Sequence, residues 1–185
     1  MLRLLCVSLF ALVLTGCASS AKIESMTVGD QQAHAQAYDP ALRDNLKLDS
    51  VDGGGKTNPM WTSEIEGADF RAALEQSLNK AGLLGKSEKT AYSLRANLVS
   101  VEQPLFGFNF TVTSVVEYSL VDNASGDVVW HETLQAPFTA GVGDAFYGVT
   151  RLRLANEGSA RENISTLLKR LATLNLAQGQ VSLGN

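Results

Sequence analysis

Few side chains in this chain have the chemistry that catalysis or metal binding most often uses. The 185 residues include two histidines, His34 and His131, and two cysteines, Cys6 and Cys17. Glu132 follows His131, but no second ligand stands at zinc-site spacing, and no Gly-x-Ser-x-Gly motif surrounds a serine. His131 shares the solvent-facing alternation of a predicted strand with Thr133. We therefore predict no catalytic residue, no metal site and no cofactor.

A short glycine-rich segment is similar to the end of a phosphate-binding loop. It reads Gly55-Lys56-Thr57. The complete motif also requires an earlier glycine, at the position of Ser50, and a helix directly afterwards. Pro59 disfavours a helix at that point because the residue before a proline avoids helical backbone angles. We interpret the segment as an ordinary turn.

The N-terminus has the organisation of a secretory signal. One positive charge at Arg3 precedes an uncharged apolar run that continues to Leu14. The run is shorter than the roughly 20 residues that a membrane-spanning helix needs. It ends in Leu14, Thr15, Gly16 and Cys17.

This ending resembles the lipobox of bacterial lipoproteins. The resemblance implies that residues 1–16 are a signal peptide recognised through Leu14, Thr15 and Gly16. It also implies that Cys17 carries a diacylglyceryl thioether and becomes the acylated mature N-terminus, which would hold the protein stably on a membrane. In the lipoprotein sorting pattern, Asp after the cysteine favours the inner membrane; here that residue is Ala18, which favours the outer membrane and the periplasm. The alternative is an unmodified thiol after an ordinary signal peptide.

Charge and composition exclude several other classes of protein. The chain has 15 Lys and Arg against 19 Asp and Glu, and no basic run, so nucleic acid is not an expected partner. A hydrophobic content of 45% with 18% charged residues is typical of a folded globular unit. Because Cys6 leaves with the signal and Cys17 carries lipid, no disulfide is expected.

The mature chain divides into three parts by pattern. Residues 17–41 show no period of 2 or 3.6 and predict a lipidated cysteine followed by a flexible tether, in which His34 is solvated. Residues 42–176 contain periodic segments throughout and predict a single domain. Residues 177–185 are polar and predict a frayed tail.

The first half of the domain predicts a strand and a helix. Leu46, Leu48 and Val51 indicate a strand that ends at the glycines following Asp52. Ser63 and Glu66 match a capping box for a helix that buries Phe70 and other apolar residues on one face. Gly82 ends the helix, and Leu83 fits the hydrophobic contact of a Schellman stop.

Three further strands follow. Alternation predicts one strand from Tyr92 to Leu98, a long strand from Phe106 to Leu120, and a third from Val128 to Phe138, the last two forming a hairpin. The apolar segment 105–110 alternates strictly and is expected in the core, with a partner or lipid contact as the alternative. Glu132 breaks the inward parity of the last strand; we expect a bulge there rather than a buried, partnered carboxylate.

The last periodic segment predicts a helix capped by Asp144 and continuing to Leu174, with Gly158 as a candidate position for a kink or a break. Its first half carries a cluster of charges. We expect a solvated, ion-paired surface there, with binding of an acidic partner as the alternative. The cluster contains Arg151, Arg153, Glu157, Arg161 and Glu162. Glu157 and Arg161 stand at the i,i+4 spacing of a helical ion pair.

The order strand, helix, three strands, helix predicts an α+β two-layer sandwich, with a mainly antiparallel sheet of about four strands and two helices on one face. The other face is free for solvent or a partner. By parity it carries the polar residues Arg95, Asn97, Thr111, Thr113, Glu117, Ser119, His131 and Thr133.

This element order is similar to that of small outer-membrane lipoproteins that assist envelope assembly: the LptE type, the peptidoglycan-synthase activators and the YajG-like lipoproteins. The resemblance is architectural and transfers no functional residue. It implies a non-catalytic, lipid-anchored adaptor with a periplasmic or outer-membrane protein partner. A carrier of lipid or glycan is the alternative, and a periplasmic enzyme is the third hypothesis.

Overall fold

The computed structural model describes residues 19–58, 63–87 and 89–176. The predicted signal peptide 1–16, the lipobox residues that include Cys17, and the predicted tail 177–185 lie outside the described residues. The described elements, in chain order, are α1 (Ile23–Met26), α2 (Asp30–His34), β1 (Leu46–Gly53), α3 (Gly67–Lys80), β2 (Tyr92–Glu102), β3 (Phe110–Asp122), β4 (Val128–Ala140) and α4 (Gly148–Thr173).

The strands form one mixed sheet in the order β1-β2-β3-β4. β1 and β2 are parallel, and α3 provides the crossover connection that parallel neighbours require. β2, β3 and β4 are successive antiparallel neighbours. Helix α3 packs against β1, while α4 packs against β3 and β4. The predicted two-layer α+β sandwich is confirmed.

The main core lies between the sheet and the two long helices. Phe70 of α3 and Trp130 of β4, both expected in the core from their spacing, are buried in this cluster together with Tyr118. A smaller apolar cluster closes one end of the sandwich, where β3 begins and β4 ends. It comprises Phe110, Val112, Ala140, Leu152 and Ala155.

Helix α3 ends as its sequence predicts but begins differently. The Gly82 N–H donates to the Asn79 carbonyl at 2.9 Å and the Leu83 N–H donates to the Leu78 carbonyl at 3.1 Å, the two bonds of a Schellman motif. Gly82 has a φ of 68°, which glycine adopts without steric cost. The capping box is wrong: Glu66 is the N-cap without a side-chain bond, and the Ser63 hydroxyl donates to the Ser19 carbonyl at 2.7 Å.

Helix α4 is one uninterrupted helix of 26 residues. Gly158 does not divide it, because this glycine is where α4 approaches the sheet: a methyl group there would collide with the ring of Phe138. The predicted cap at Asp144 is also wrong, since Tyr147 is the N-cap. The Asp144 carboxylate instead accepts the Gly141 N–H at 2.7 Å and closes the turn between β4 and α4.

Glu132 has a partner rather than a bulge. It stands opposite Tyr118 in unbroken register, and the irregularity of the hairpin lies nearer its turn, between Leu120 and Val121 of β3. The Glu132 carboxylate forms an ion pair with Arg170 of α4 at 2.9 Å. The bulge that we expected at Glu132 is therefore wrong; the carboxylate is partnered, as in the alternative, but it is half-buried rather than buried.

Residues 19–42, which we call the N-terminal strap, differ from the tether predicted over 17–41. The strap packs on both long helices through α1 and α2. Its apolar side chains are irregularly spaced because each short helix delivers only one of them to the core. The buried members are Ala21, Met26, Val28, Ala33, Tyr38 and Leu42.

Hydrogen bonds fix the backbone of the strap at several points. The Val28 N–H donates to the buried Ser77 hydroxyl of α3 at 3.0 Å, and the Arg161 guanidinium of α4 donates to the Ser25 carbonyl at 2.6 Å. Burial also raises the pKa of Tyr38 to about 12 by disfavouring the phenolate. The segment is thus part of the folded body.

Candidate functional site

The polar residues predicted to share a sheet surface lie together on the side away from α3 and α4. We call this surface the outer face. Register places Asn97, Glu117 and Thr133 in one row across β2, β3 and β4, and Arg95, Ser119 and His131 in the next row. Thr111 and Thr113 lie further along β3, where the Thr111 hydroxyl is 2.8 Å from that of Thr139. All eight residues are exposed or half-buried.

The centre of the outer face brings a serine, a histidine and a carboxylate into contact. Ser119 Oγ lies 3.0 Å from His131 Nδ1, and His131 Nε2 lies 3.2 Å from Glu117 Oε1. Sequence reasoning placed these residues on one face but missed the trio. The signal was available, because the hairpin register sets which side chains of β3 and β4 are cross-strand neighbours.

This trio has the residue types of a nucleophilic triad without the rest of a catalytic site. Its histidine and glutamate side chains are 47% and 40% exposed, so water solvates both. A triad also needs hydrogen-bond donors aimed at a developing oxyanion, and the trio lies in the middle of a hydrogen-bonded ladder that occupies the neighbouring backbone N–H groups. The arrangement is suited to surface hydrogen bonding. His34 lies apart from it, exposed in α2.

A second surface lies at one end of the sandwich and consists of the loops 103–109 and 141–147. We call it the aromatic end. The segment 105–110 was expected in the core, and for Leu105, Phe106 and Phe108 this is wrong: they are 95%, 86% and 82% exposed. β3 begins only at Phe110, which is the first buried ring of the alternation. Phe146 and Tyr147, which are 83% and 62% exposed, belong to the second loop.

The second loop of the aromatic end is braced by polar contacts. Arg151 of α4 donates to the Ala145 and Phe146 carbonyls at 2.9 and 2.7 Å, and its guanidinium lies over the Phe110 ring at 5.4 Å. The Phe146 and Tyr147 rings meet edge to face with centroids 5.5 Å apart. The exposed rings of Phe146 and Tyr147 are therefore held on backbone that α4 braces.

The start of the described chain is tied to the same end. Gln103 donates to the Ser63 carbonyl at 3.1 Å, and the Ser63 hydroxyl donates in turn to the Ser19 carbonyl. Arg153 of α4 donates to the Ser19 hydroxyl at 2.8 Å. Burial raises the pKa of the nearby Glu64 carboxyl, an effect that a hydrogen bond from Gln103 partly opposes.

The charged cluster of α4 is not the solvated surface that we expected. Arg151 and Glu157 are buried. Glu157 pairs with Arg153 at 3.4 Å rather than with Arg161, and it also accepts the Lys22 N–H of the strap at 3.0 Å. The strap covers this side of α4, and Glu157, Arg153 and Arg161 hydrogen-bond to it. Arg151 instead hydrogen-bonds to the loop that precedes α4.

The interior of the described residues is closed by packing and by a buried polar network. The Tyr118 hydroxyl donates to Asn163 Oδ1 at 2.9 Å, and burial raises the pKa of this phenol. Ser159 of α4 accepts the Ser114 N–H at 2.8 Å and donates to the Ala136 carbonyl at 2.7 Å. Because these polar atoms satisfy one another, the network joins α4 to the sheet and offers no free group to a ligand.

A pocket of about 240 Å³ opens at the β1 edge of the sheet. Charged side chains of Lys47, Glu75 and Lys86 contribute to its lining. Within residues 19–58, 63–87 and 89–176, no cluster of three histidine, cysteine or acidic residues could hold a metal ion. In the same described ranges, no helix combines the length and the apolarity needed to cross a membrane.

Comparison with solved structures identifies similar folds. A predicted lipoprotein from Caulobacter crescentus matches with a TM-score of 0.51 and 18% identity, over 76% of this chain and 95% of that one. A Xanthomonas campestris protein of the DUF330 family matches with a TM-score of 0.53 and 11% identity, over 73% of this chain and 89% of that one. At these identities the likeness shows the fold alone. No family model and no curated protein matches the chain.

Proposed function

We propose that this chain is a lipid-anchored accessory protein of the bacterial outer membrane that acts on the periplasmic side as a non-catalytic adaptor. The observation that carries the proposal is the lipobox at residues 14–17, which ends two residues before the folded strap begins at Ser19. The fold shared with the Caulobacter crescentus lipoprotein supports the same class.

The choice of adaptor over carrier rests on where the molecule offers surface. The layer between sheet and helices is filled by apolar side chains and by the Tyr118–Asn163 network. The pocket at β1 lies at the sheet edge and is partly lined by charges, whereas a lipid carrier is expected to enclose an apolar cavity. The outer face presents hydroxyls, an amide and paired charges to solvent, which suits recognition of a protein partner.

Acylation is tested by replacing the modified cysteine. Cys17→Ser should abolish labelling by a clickable palmitate analogue and leave unprocessed precursor. Cys6→Ser, within the signal peptide, is the matched control and should label and mature like the wild type. Wild-type labelling of the Cys17→Ser variant would contradict lipid attachment at this residue.

The adaptor role is tested on the outer face, in cells whose envelope defect after deletion of the gene is measured as detergent sensitivity. Thr133→Arg places a bulky charge at the centre of the face and should prevent rescue, while Ala124→Arg in the exposed β3–β4 turn should rescue fully. His131→Gln keeps a hydrogen-bonding side chain but removes a general base, and it should also rescue. Failure of His131→Gln together with rescue by Thr133→Arg would contradict the adaptor and favour an enzyme.

A further inference from the structure

The aromatic end carries a group of exposed, large apolar side chains, and such groups are unusual on the surface of a soluble protein. Two loops that are distant in sequence contribute to it, and the exposed side chains of Leu105, Phe106 and Phe108 come from the first. The second contributes Phe146 and Tyr147. Grouped exposed hydrophobic residues mark a contact with a protein or with a membrane.

Both loops leave the same end of the sheet. Phe110, which follows the first loop, pairs with Ala140, which precedes the second. A methyl group at Gly141 would lie 3.2 Å from the Asn109 side chain, so the backbone of the second loop passes directly beside the first. Arg151 then holds the carbonyls of the second loop while it lies over Phe110.

The chain enters the folded body at this end. Two successive hydrogen bonds connect Gln103, the first residue of the first loop, through Ser63 to Ser19. Arg153, in the second turn of α4, also holds Ser19. One residue, Ala18, stands between Cys17 and Ser19, and an extended chain covers only about 7 Å over this interval. A lipid on Cys17 therefore has to enter its membrane close to the aromatic end.

The charge of the two loops also fits a lipid surface. Residues 103–109 carry no ionisable side chain, and residues 141–147 carry only Asp144 and Tyr147. Asp144 is engaged in the turn at Gly141. Insertion of the loop tips would thus place phenyl and leucyl groups at the headgroup boundary, as surface-bound amphipathic segments do, and would leave the exposed Asp144 carboxylate in the hydrated headgroup layer.

We propose that the aromatic end is a membrane-contacting surface, which inserts Leu105, Phe106, Phe108 and Phe146 into the interface of the membrane that holds the Cys17 lipid. The inference rests on the proposed lipid anchor. It fixes the orientation of the body: the sandwich stands on the membrane with the β3–β4 turn pointing away, and the outer face is presented sideways to a partner.

The test uses the acylated protein in vesicles of phosphatidylethanolamine and phosphatidylglycerol that contain brominated phosphatidylcholine. Tryptophan reporters are introduced by Phe108→Trp and by Phe146→Trp, and each signal is measured as a difference from the wild type. The matched control is Val128→Trp, since Val128 is 55% exposed beside the β3–β4 turn at the opposite end of the hairpin. All three sites are exposed, and thermal melts verify that each variant is folded.

We expect the brominated lipid to quench both loop reporters at least about twofold more than the Val128→Trp reporter. Equal quenching at either loop position and at Val128 would overturn the inference. A diazirine amino acid at position 108 in cells gives a second readout: lipid adducts support membrane contact, and a discrete protein adduct overturns it. Absence of acylation on the wild-type protein would overturn the proposed function as well, whereas an acylated, vesicle-bound protein with unquenched loop reporters overturns the membrane contact alone.

Discussion

The N-terminal strap and the first loop of the aromatic end have opposite relations between sequence pattern and burial. The strap has no regular period, yet Met26 and Val28 are completely buried. The loop alternates apolar residues as strictly as the core of β3 does, yet Phe106 and Phe108 are among the most exposed side chains of the described chain. One segment looked like solvent-exposed linker and the other like core.

The difference lies in what each segment has opposite it. The two long helices leave a surface that the strap covers, and Ser77 and Arg161 provide polar partners for its backbone. The loop lies beyond the ends of the helix layer, where Phe110 is the last ring that α4 can cover through Arg151 and Leu152. Periodicity therefore shows which side chains share a surface, but burial depends on a second element that packs on that surface.

The largest expected effect on stability is a difference between two neighbouring rings of the same alternating segment, Phe110 and Phe108. Phe110→Ala removes a buried ring of the smaller cluster and should lower the free energy of unfolding by about 3 to 5 kcal/mol. Phe108→Ala removes an exposed ring and should change it by less than about 0.5 kcal/mol. Urea denaturation of both variants measures the difference. Similar losses at the two positions would mean that the loop packs as core.

Truncation within the strap should cost nearly as much. Met26→Ala leaves a cavity at a fully buried position and is expected to destabilise the protein by about 2 to 5 kcal/mol. His34→Ala, at an exposed position of the neighbouring α2, is the control and should be neutral. Limited proteolysis should cleave the strap faster in Met26→Ala than in the wild type. Rapid cleavage of the wild-type strap would instead support the flexible tether predicted from the sequence over residues 17–41.

A smaller effect is expected where α3 holds the strap backbone. Ser77 is buried, accepts the Val28 N–H and donates to the Ala73 carbonyl at 2.7 Å. Ser77→Ala leaves the buried N–H without its acceptor, which should cost about 1 to 3 kcal/mol. Ser87→Ala changes an exposed serine and should be neutral by the same thermal melt. Equal melting temperatures of Ser77→Ala and wild type would show that the strap is not held at this point.

The sequence was sufficient to predict elements whose local and tertiary signals agree. The Schellman stop at Gly82, the inward face that contains Phe70, and the β3–β4 hairpin follow from turn chemistry and period alone. It was insufficient where a local signal had a tertiary competitor. Ser63 matches a capping box, but its hydroxyl bonds to Ser19 of the strap, which lies 44 positions away in the chain.

The features of the two candidate surfaces also differ in whether the sequence was sufficient to predict them. The outer face was predictable because parity assigns a side to every strand residue, and its residues lie where parity places them. The Ser119–His131–Glu117 contact and the meeting of the two loops at one end depend in addition on the β3–β4 register, which parity alone does not give. Pro104 and Gly107 lie within the first loop. Both residues disfavour a strand interior and were the local signal against a continuous strand there.

The smallest expected effect concerns pH dependence at Glu64, which lies between the strap and the aromatic end. Burial raises the pKa of this carboxyl above its ordinary value of 4.5 in the folded protein, although Gln103 donates to it at 3.1 Å. The folded state then binds more protons than the unfolded state as the pH rises past 4.5, so the contribution of Glu64 to stability falls across that window. Glu64→Gln keeps a hydrogen-bonding side chain and removes the titration. The melting temperature of Glu64→Gln minus that of wild type should therefore be larger at pH 7 than at pH 4. The control is Glu75→Gln, which removes a charge from the exposed surface of α3. A Glu64→Gln difference that is constant with pH, or that reverses, would show that this carboxyl is fully hydrated and that the strap and the aromatic end do not enclose it.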